Sequence, residues 1–363
     1  MDETDRFRQV AEVSARIRIF GVTLCWLVVI TLLHGGLNLH WWDQKPSVAG
    51  GRSKFRVGFL PVTCHLTCPV TDFINRSTTG DNVYDPVRFN GWPELKEAYL
   101  SGYTPATFIL APMAIALREQ GVPIKIVYLG HRDGSAVMVH KDSNIYRTED
   151  LKGKTVAVPG RYANQRLILY RELKAKGMSL NDIKLVEMAP PDMPAALYAK
   201  AVDAISSGEP FMGQTELDGY GRCLYQAKDS WPGFISCVLA VSEKAIATHR
   251  DDIQALVNGI AKSGKWLDTS MDHRMQAANF VSSLYYNQNP RLLTYVLSKP
   301  PDRVTYSKLR PLRANFEEIE QLAQEAGMLK GTAHFNDYVD TSFAPDDSQL
   351  VAHNFEAAPA HAH

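Results

Sequence analysis

Between Asp150 and Pro210 the sequence alternates short apolar strand patterns with amphipathic helix patterns, which restricts this part of the chain to an α/β unit. Thr155-Val156-Ala157-Val158 is a β-branched strand closed by Pro159-Gly160. A helical pattern follows from Asn164 to Lys176, with Leu167, Ile168, Leu169 and Leu173 set among charges, and Gly177 ends it. A second strand, Ile183 to Met188, leads through Pro190-Pro191 into a second helix from Met193 to Ala201. Val202-Asp203-Ala204-Ile205 and Ser206-Ser207-Gly208-Glu209-Pro210 close the unit.

The opening Asp150–Gly160, the helix start Pro190-Pro191-Asp192-Met193-Pro194-Ala195-Ala196-Leu197 and the ending Asp203-Ala204 with Gly208-Glu209-Pro210 occur in that order. Together they resemble the second lobe of periplasmic solute-binding proteins of the nitrate/sulfonate/taurine/bicarbonate transporter family. The resemblance runs over residues 55 to 330. It implies an α/β, two-lobed periplasmic binding protein (type 2) fold that closes on a small anionic or zwitterionic solute. The implied partners are that solute and the permease and ATPase subunits of an ABC importer. The solute within the class is not fixed by these motifs.

Charge excludes other classes. Lys+Arg and Asp+Glu both number 39, so no global field points to nucleic acid. The chain has no P-loop and cannot supply the ATPase itself. Near the start, Arg6, Arg8, Arg16 and Arg18 precede an apolar run from Ile19 to Leu33, weaker to Leu39, and Trp41-Trp42 follow where an interfacial belt would lie. From Ile17 to Leu39 this reaches the ~20 residues of a membrane span. Residues 1–16 are expected to be cytoplasmic, 17–40 a transmembrane anchor or signal sequence, and 41–54 a linker. This tethers the chain to the cytoplasmic membrane with its bulk on the periplasmic or extracellular side. Residues 55–142 with 238–345 are expected to form lobe 1, residues 143–237 lobe 2, and 346–363 a disordered tail.

Phe55 to Leu60 alternates as a strand, and Cys64-His65-Leu66-Thr67-Cys68 follows it. In the family this loop leads into a helix whose N-terminus faces the cleft and favours anions. Cys64, His65 and Cys68 are read as structural thiols or a disulfide, as cleft contacts, or as metal ligands. Pro61 and His65 keep part of a Pro-Asn-x-x-His pattern of pyrimidine-binding and pyrimidine-synthesising relatives. Val62 replaces the asparagine and no cysteine-rich iron motif follows, so neither cofactor nor catalytic residue is expected. A pyrimidine-precursor protein and a membrane-tethered ligand sensor are the alternative functions.

By resemblance, Phe108 and Leu110 lie where a strand turns into a helix at the cleft, or in the core. Gly130-His131-Arg132-Asp133-Gly134-Ser135 reads as a polar loop at the lobe crossover, where His131 or the planar fork of Arg132 could hold an acid. Gly160, Arg161 and Asn164 stand between a strand and a helix start, again offering donors to an anion. Arg161 departs from the family and favours an acid larger than nitrate. Glu209 either takes hydrogen bonds from the ligand or holds the hinge and an opposing arginine. Cys223 and Cys237 flank a turn and are a candidate pair.

Overall fold

A computed structural model of the chain describes residues 16, 18, 20–31 and 54–355. Residues 1–53 and 54–363 form separate units. In the first, residues 20–31 are helical and exposed. No helix among the described residues is long and apolar enough to cross a membrane, and the rest of the expected span 17–40 lies outside them.

The second unit is built on two sheets. The strands are β1 (Phe55–Phe59), β2 (Tyr84–Arg88), β3 (Ala106–Ile109), β4 (Ile124–Asp133), β5 (Ser135–His140), β6 (Thr155–Val158), β7 (Lys184–Glu187), β8 (Ala204–Gly208), β9 (Gly221–Gln226), β10 (Ile235–Ser242) and β11 (Val304–Thr305). The first sheet has the order β11-β4-β10-β3-β1-β2, and the second β7-β6-β8-β5-β9. β1 runs parallel to β2 and β3, while β10 lies antiparallel between β3 and β4. In the second sheet β6 is parallel to β7 and β8, and β5 is antiparallel to β8 and β9. β10 is buried from Ile235 to Val241, as its near-continuous apolar run requires of a strand covered on both faces. The helix Arg250–Thr269 packs Ile253, Leu256, Val257, Ile260 and Trp266 into the core at helical spacing.

The α/β unit forms as the sequence indicates, with helices at Asn164–Ala175 and Met193–Tyr198. Three expectations need revision. The polar loop expected at 130–135 is mostly strand: Arg132 pairs with Ile235 and Thr305, and His131 with Cys237. Only Asp133 (φ 64°) and Gly134 (φ 68°) turn, and there the chain leaves the first sheet for the second. The change falls at Gly134, not after residue 142, because β5 finds its partners in β8 and β9. Pro86 interrupts the strand pattern of β2 and is tolerated because β2 is the sheet edge. At the other end, the described part of the expected tail is docked. Leu350 and Phe355 pack on the core, and Trp266 Nε1 donates to the Phe355 carbonyl at 3.0 Å. Leu350, Ala352 and Phe355 make that contact, and residues 356–363 lie outside the described ones.

Candidate functional site

The chain leaves β1 at Leu60, turns through Thr63–His65 and enters the helix Thr67–Thr79. His65 is fully buried, and its Nδ1 accepts the backbone N–H of Leu60 at 2.7 Å. A neutral imidazole that accepts at Nδ1 carries its proton on Nε2. That Nε2–H has no hydrogen-bond partner among the described residues. The ring is held by Phe108, 5.2 Å away, and by the edge of Trp92 at 5.5 Å. The Trp92 indole N–H, which can only donate, is likewise buried and unpartnered. Two donors directed by packing and left unsatisfied are costly unless something accepts from them.

Trp92 also lines a cavity of about 240 Å³ whose other walls include Lys96, Met113, Gly160, Arg161 and Glu187. The walls therefore come from segments of both sheets: the helices after β2 and β3 on one side, and the loop after β6 with the end of β7 on the other. Arg161 is exposed in this opening, and its guanidinium lies 5.6 Å from the Tyr162 ring. Asn164, at the start of the following helix, is buried and donates Nδ2 to the carbonyls of Ile235 (2.5 Å) and Ser236 (2.8 Å) on β10. Its Oδ1 is left as an acceptor with no partner among the described residues, as is the hydroxyl of Ser206.

The remaining candidates serve the frame. Phe108 and Leu110 are buried, Phe108 supporting the His65 ring. Arg132 directs its guanidinium to the carbonyls of Lys308 (2.8 Å) and Gly233 (2.7 Å) and to Asn315 Oδ1 (3.2 Å), so its fork is taken up inside the protein. Glu209 is 2% exposed and pairs with Arg303 at 2.6 Å while accepting the Gly213 N–H at 2.7 Å. Its backbone carbonyl accepts the Thr63 N–H at 3.0 Å, joining the second sheet to the turn that carries His65. Burial raises the Glu209 carboxyl despite Arg303. No helix or strand pattern in the sequence marked Arg303 as its partner.

Cys68 is buried in the helix after the turn, and the sulfur near Cys64 belongs to Cys237, 2.7 Å away. Cys223 sits in β9 and Cys237 in β10, on different sheets, so the pairing expected between them is not made. Ligand atoms of Cys64, His65 and Cys237 all lie within 4.8 Å of one another. A tetrahedral zinc, with bonds of about 2.3 Å to sulfur, would hold two thiolates about 3.8 Å apart and need a bare nitrogen lone pair. The sulfurs are closer than that, and the Leu60 N–H occupies His65 Nδ1. The three residues as arranged do not fit zinc.

His131 Nε2 sits 2.8 Å from Thr63 Oγ1, and burial pushes its pKa down to about 4 from the usual 6.5. The unfolded chain then gains a proton near pH 6.5 that the folded chain resists until about pH 4, so stability falls as pH drops through this window. The expected loss from pH 7.5 to 4.5 is about 2–3 kcal/mol greater in the wild type than in His131→Asn. Denaturant midpoints at the two pH values check it; equal losses would refute it.

The model of the NMT1-like family matches residues 49–282. The chain belongs to that family. Among relatives, the taurine-binding periplasmic protein of Escherichia coli is 22% identical over 242 residues, covering 64% of this chain and 74% of the relative. A bicarbonate transport ATP-binding protein of Synechocystis is 24% identical over 218 residues, 55% of this chain. That match spans only 32% of the longer relative's length. The ligand-binding component of an ABC-type import system from Staphylococcus aureus, solved with zinc bound, superposes with a TM-score of 0.72. It is 25% identical, over 82% of this chain and 99% of that one. This NMT1-like chain thus has the α/β periplasmic binding protein fold on two sheets, and its homologues include periplasmic binding proteins of import systems.

Proposed function

We propose that the chain is an extracytoplasmic solute-binding protein of an ABC importer, and that its solute is a small zwitterion of the aminosulfonate kind. The observation that carries this reading is the cavity lined from both sheets, where Trp92, whose indole N–H has no partner among the described residues, and the carboxylate of Glu187 share the walls. The donor suits sulfonate oxygens, and the carboxylate suits an ammonium, which nitrate and bicarbonate lack. Arg161 adds a cation at the opening. The taurine-binding relative supports the same class. The arginine-flanked apolar stretch at 17–40 supports a tether to the cytoplasmic membrane, beside permease and ATPase subunits.

Titration of the purified chain with taurine, ethanesulfonate, nitrate and bicarbonate tests it. Taurine at 100 times its Kd is expected to add about 2.7 kcal/mol of stability, with smaller gains from the others at equal concentration. Trp92→Phe, which removes the indole N–H and keeps an aromatic ring beside His65, is expected to weaken taurine binding by roughly 10–100-fold, the worth of one hydrogen bond to a charged group. If none of the four ligands shifts unfolding, the reading fails.

A further inference from the structure

Five cysteines are present in the chain, and the fold brings two of them together. Cys64 lies in the turn after β1 and Cys237 in β10, and both are buried. Their sulfurs, 2.7 Å apart, are well inside the range of two groups merely packed side by side. The approach is enforced by the backbone on both sides. Cys237 is fixed by its pairing with His131 on β4, and the ladder shifts register between Cys237 and Val238, passing over Gly130. Through that irregularity the Cys64 carbonyl comes so near Gly130 that a Cβ there would sit 2.2 Å from it. The other cysteines are elsewhere: Cys68 inside the following helix, Cys223 in the second sheet, and Cys25 in the separate N-terminal unit.

We propose that Cys64 and Cys237 are oxidised to a disulfide that staples the His65-bearing turn to the strand returning from the second sheet. This rests on the extracytoplasmic placement of the chain, where disulfides persist. The step is thiol–disulfide exchange with a low-molecular-weight or protein disulfide. The Cys64 thiolate attacks one sulfur of the donor, giving a mixed disulfide and releasing the first thiol. Cys237 then loses its proton and attacks Cys64 Sγ, releasing the second. Two S–H bonds and one donor S–S bond are exchanged for one protein S–S bond and two donor S–H bonds. Because both sulfurs are buried, the exchange belongs to folding, before β10 closes over the turn.

The purified full chain is unfolded, reduced, refolded in a glutathione redox buffer and alkylated, so the outcome does not depend on the compartment. The expected product retains three alkylatable thiols, is lighter by about 2 Da than the reduced chain before alkylation, and yields a reducible peptide pair containing Cys64 and Cys237. Cys68→Ser and Cys223→Ser leave that pair intact, and Cys237→Ser abolishes it. Reduction is expected to lower Tm by roughly 10 °C, as for a bond closing a long loop. Alkylation of all five thiols, a bridge to Cys68 or Cys223, or one equivalent of zinc or copper(I) held by Cys64 and Cys237 would each overturn the proposal. The taurine titration and protease accessibility of the exported chain judge the function and the compartment independently.

Discussion

Arg303→Met is expected to lower the unfolding free energy at pH 7 by about 3–5 kcal/mol, the usual consequence of leaving a buried charge without its partner. Glu209 is 2% exposed, and its two oxygens are taken by Arg303 and the Gly213 N–H. With the guanidinium gone, the carboxylate has no cation inside the fold. Glu216, the second partner of Arg303 at 2.7 Å, is partly exposed and retains access to water. Glu209→Gln combined with Arg303→Met is therefore expected to recover most of the loss, because the paired removal leaves no buried charge. Urea denaturation of the two single variants and the double variant gives the coupling. A loss below about 1 kcal/mol in Arg303→Met would place it with exposed pairs and refute a buried structural role for the ion pair. Solute affinity should fall with it, since the Glu209 carbonyl anchors Thr63, two residues before His65.

Gly130→Ala is expected to destabilise by about 3 kcal/mol, the upper end for an overpacked site, and to weaken solute binding at the same time. The new Cβ would lie 2.2 Å from the Cys64 carbonyl oxygen and 3.4 Å from Cys237 Cβ. The obstacle is backbone, so no side-chain rotation relieves it; either the turn at 63–65 moves or β4 does. Moving the turn carries His65 away from Trp92 and Phe108. A shared loss of stability and taurine affinity identifies that outcome, whereas a fold weakened with unchanged affinity would show that β4 yields instead.

What could be read from residue order follows from how local each signal is. The strands and helices of 150–210 were legible because apolar periodicity and the Gly and Pro stops are carried within each segment, and the motif order pointed to the family. Strand pairing is not local. His131 and Arg132 looked like loop residues because their polarity hides the partners β10 and β11 that make them strand. The meeting of Cys64 with Cys237 depends on β10 returning beside β4 across a separation of 173 residues, which no spacing rule reports. Arg132 fitted the chemistry of an acid receptor, yet carbonyls from Gly233 and Lys308 occupy it. The tautomer of His65 was beyond sequence altogether, because it is set by one backbone N–H from Leu60.

The position of β10 has a further consequence for how the chain is made. β3 and β4 do not pair with each other; β10 fills the gap between them. During synthesis, residues 55–133 emerge well before the strand that must bridge their sheet, while β5 to β9 emerge as a contiguous set able to complete their own pairing first. The strand order thus imposes a schedule. The half presenting His65 and Trp92 stays an open pair of fragments until residues 235–242 arrive, and that waiting interval is when the nascent chain is most exposed to wrong partners.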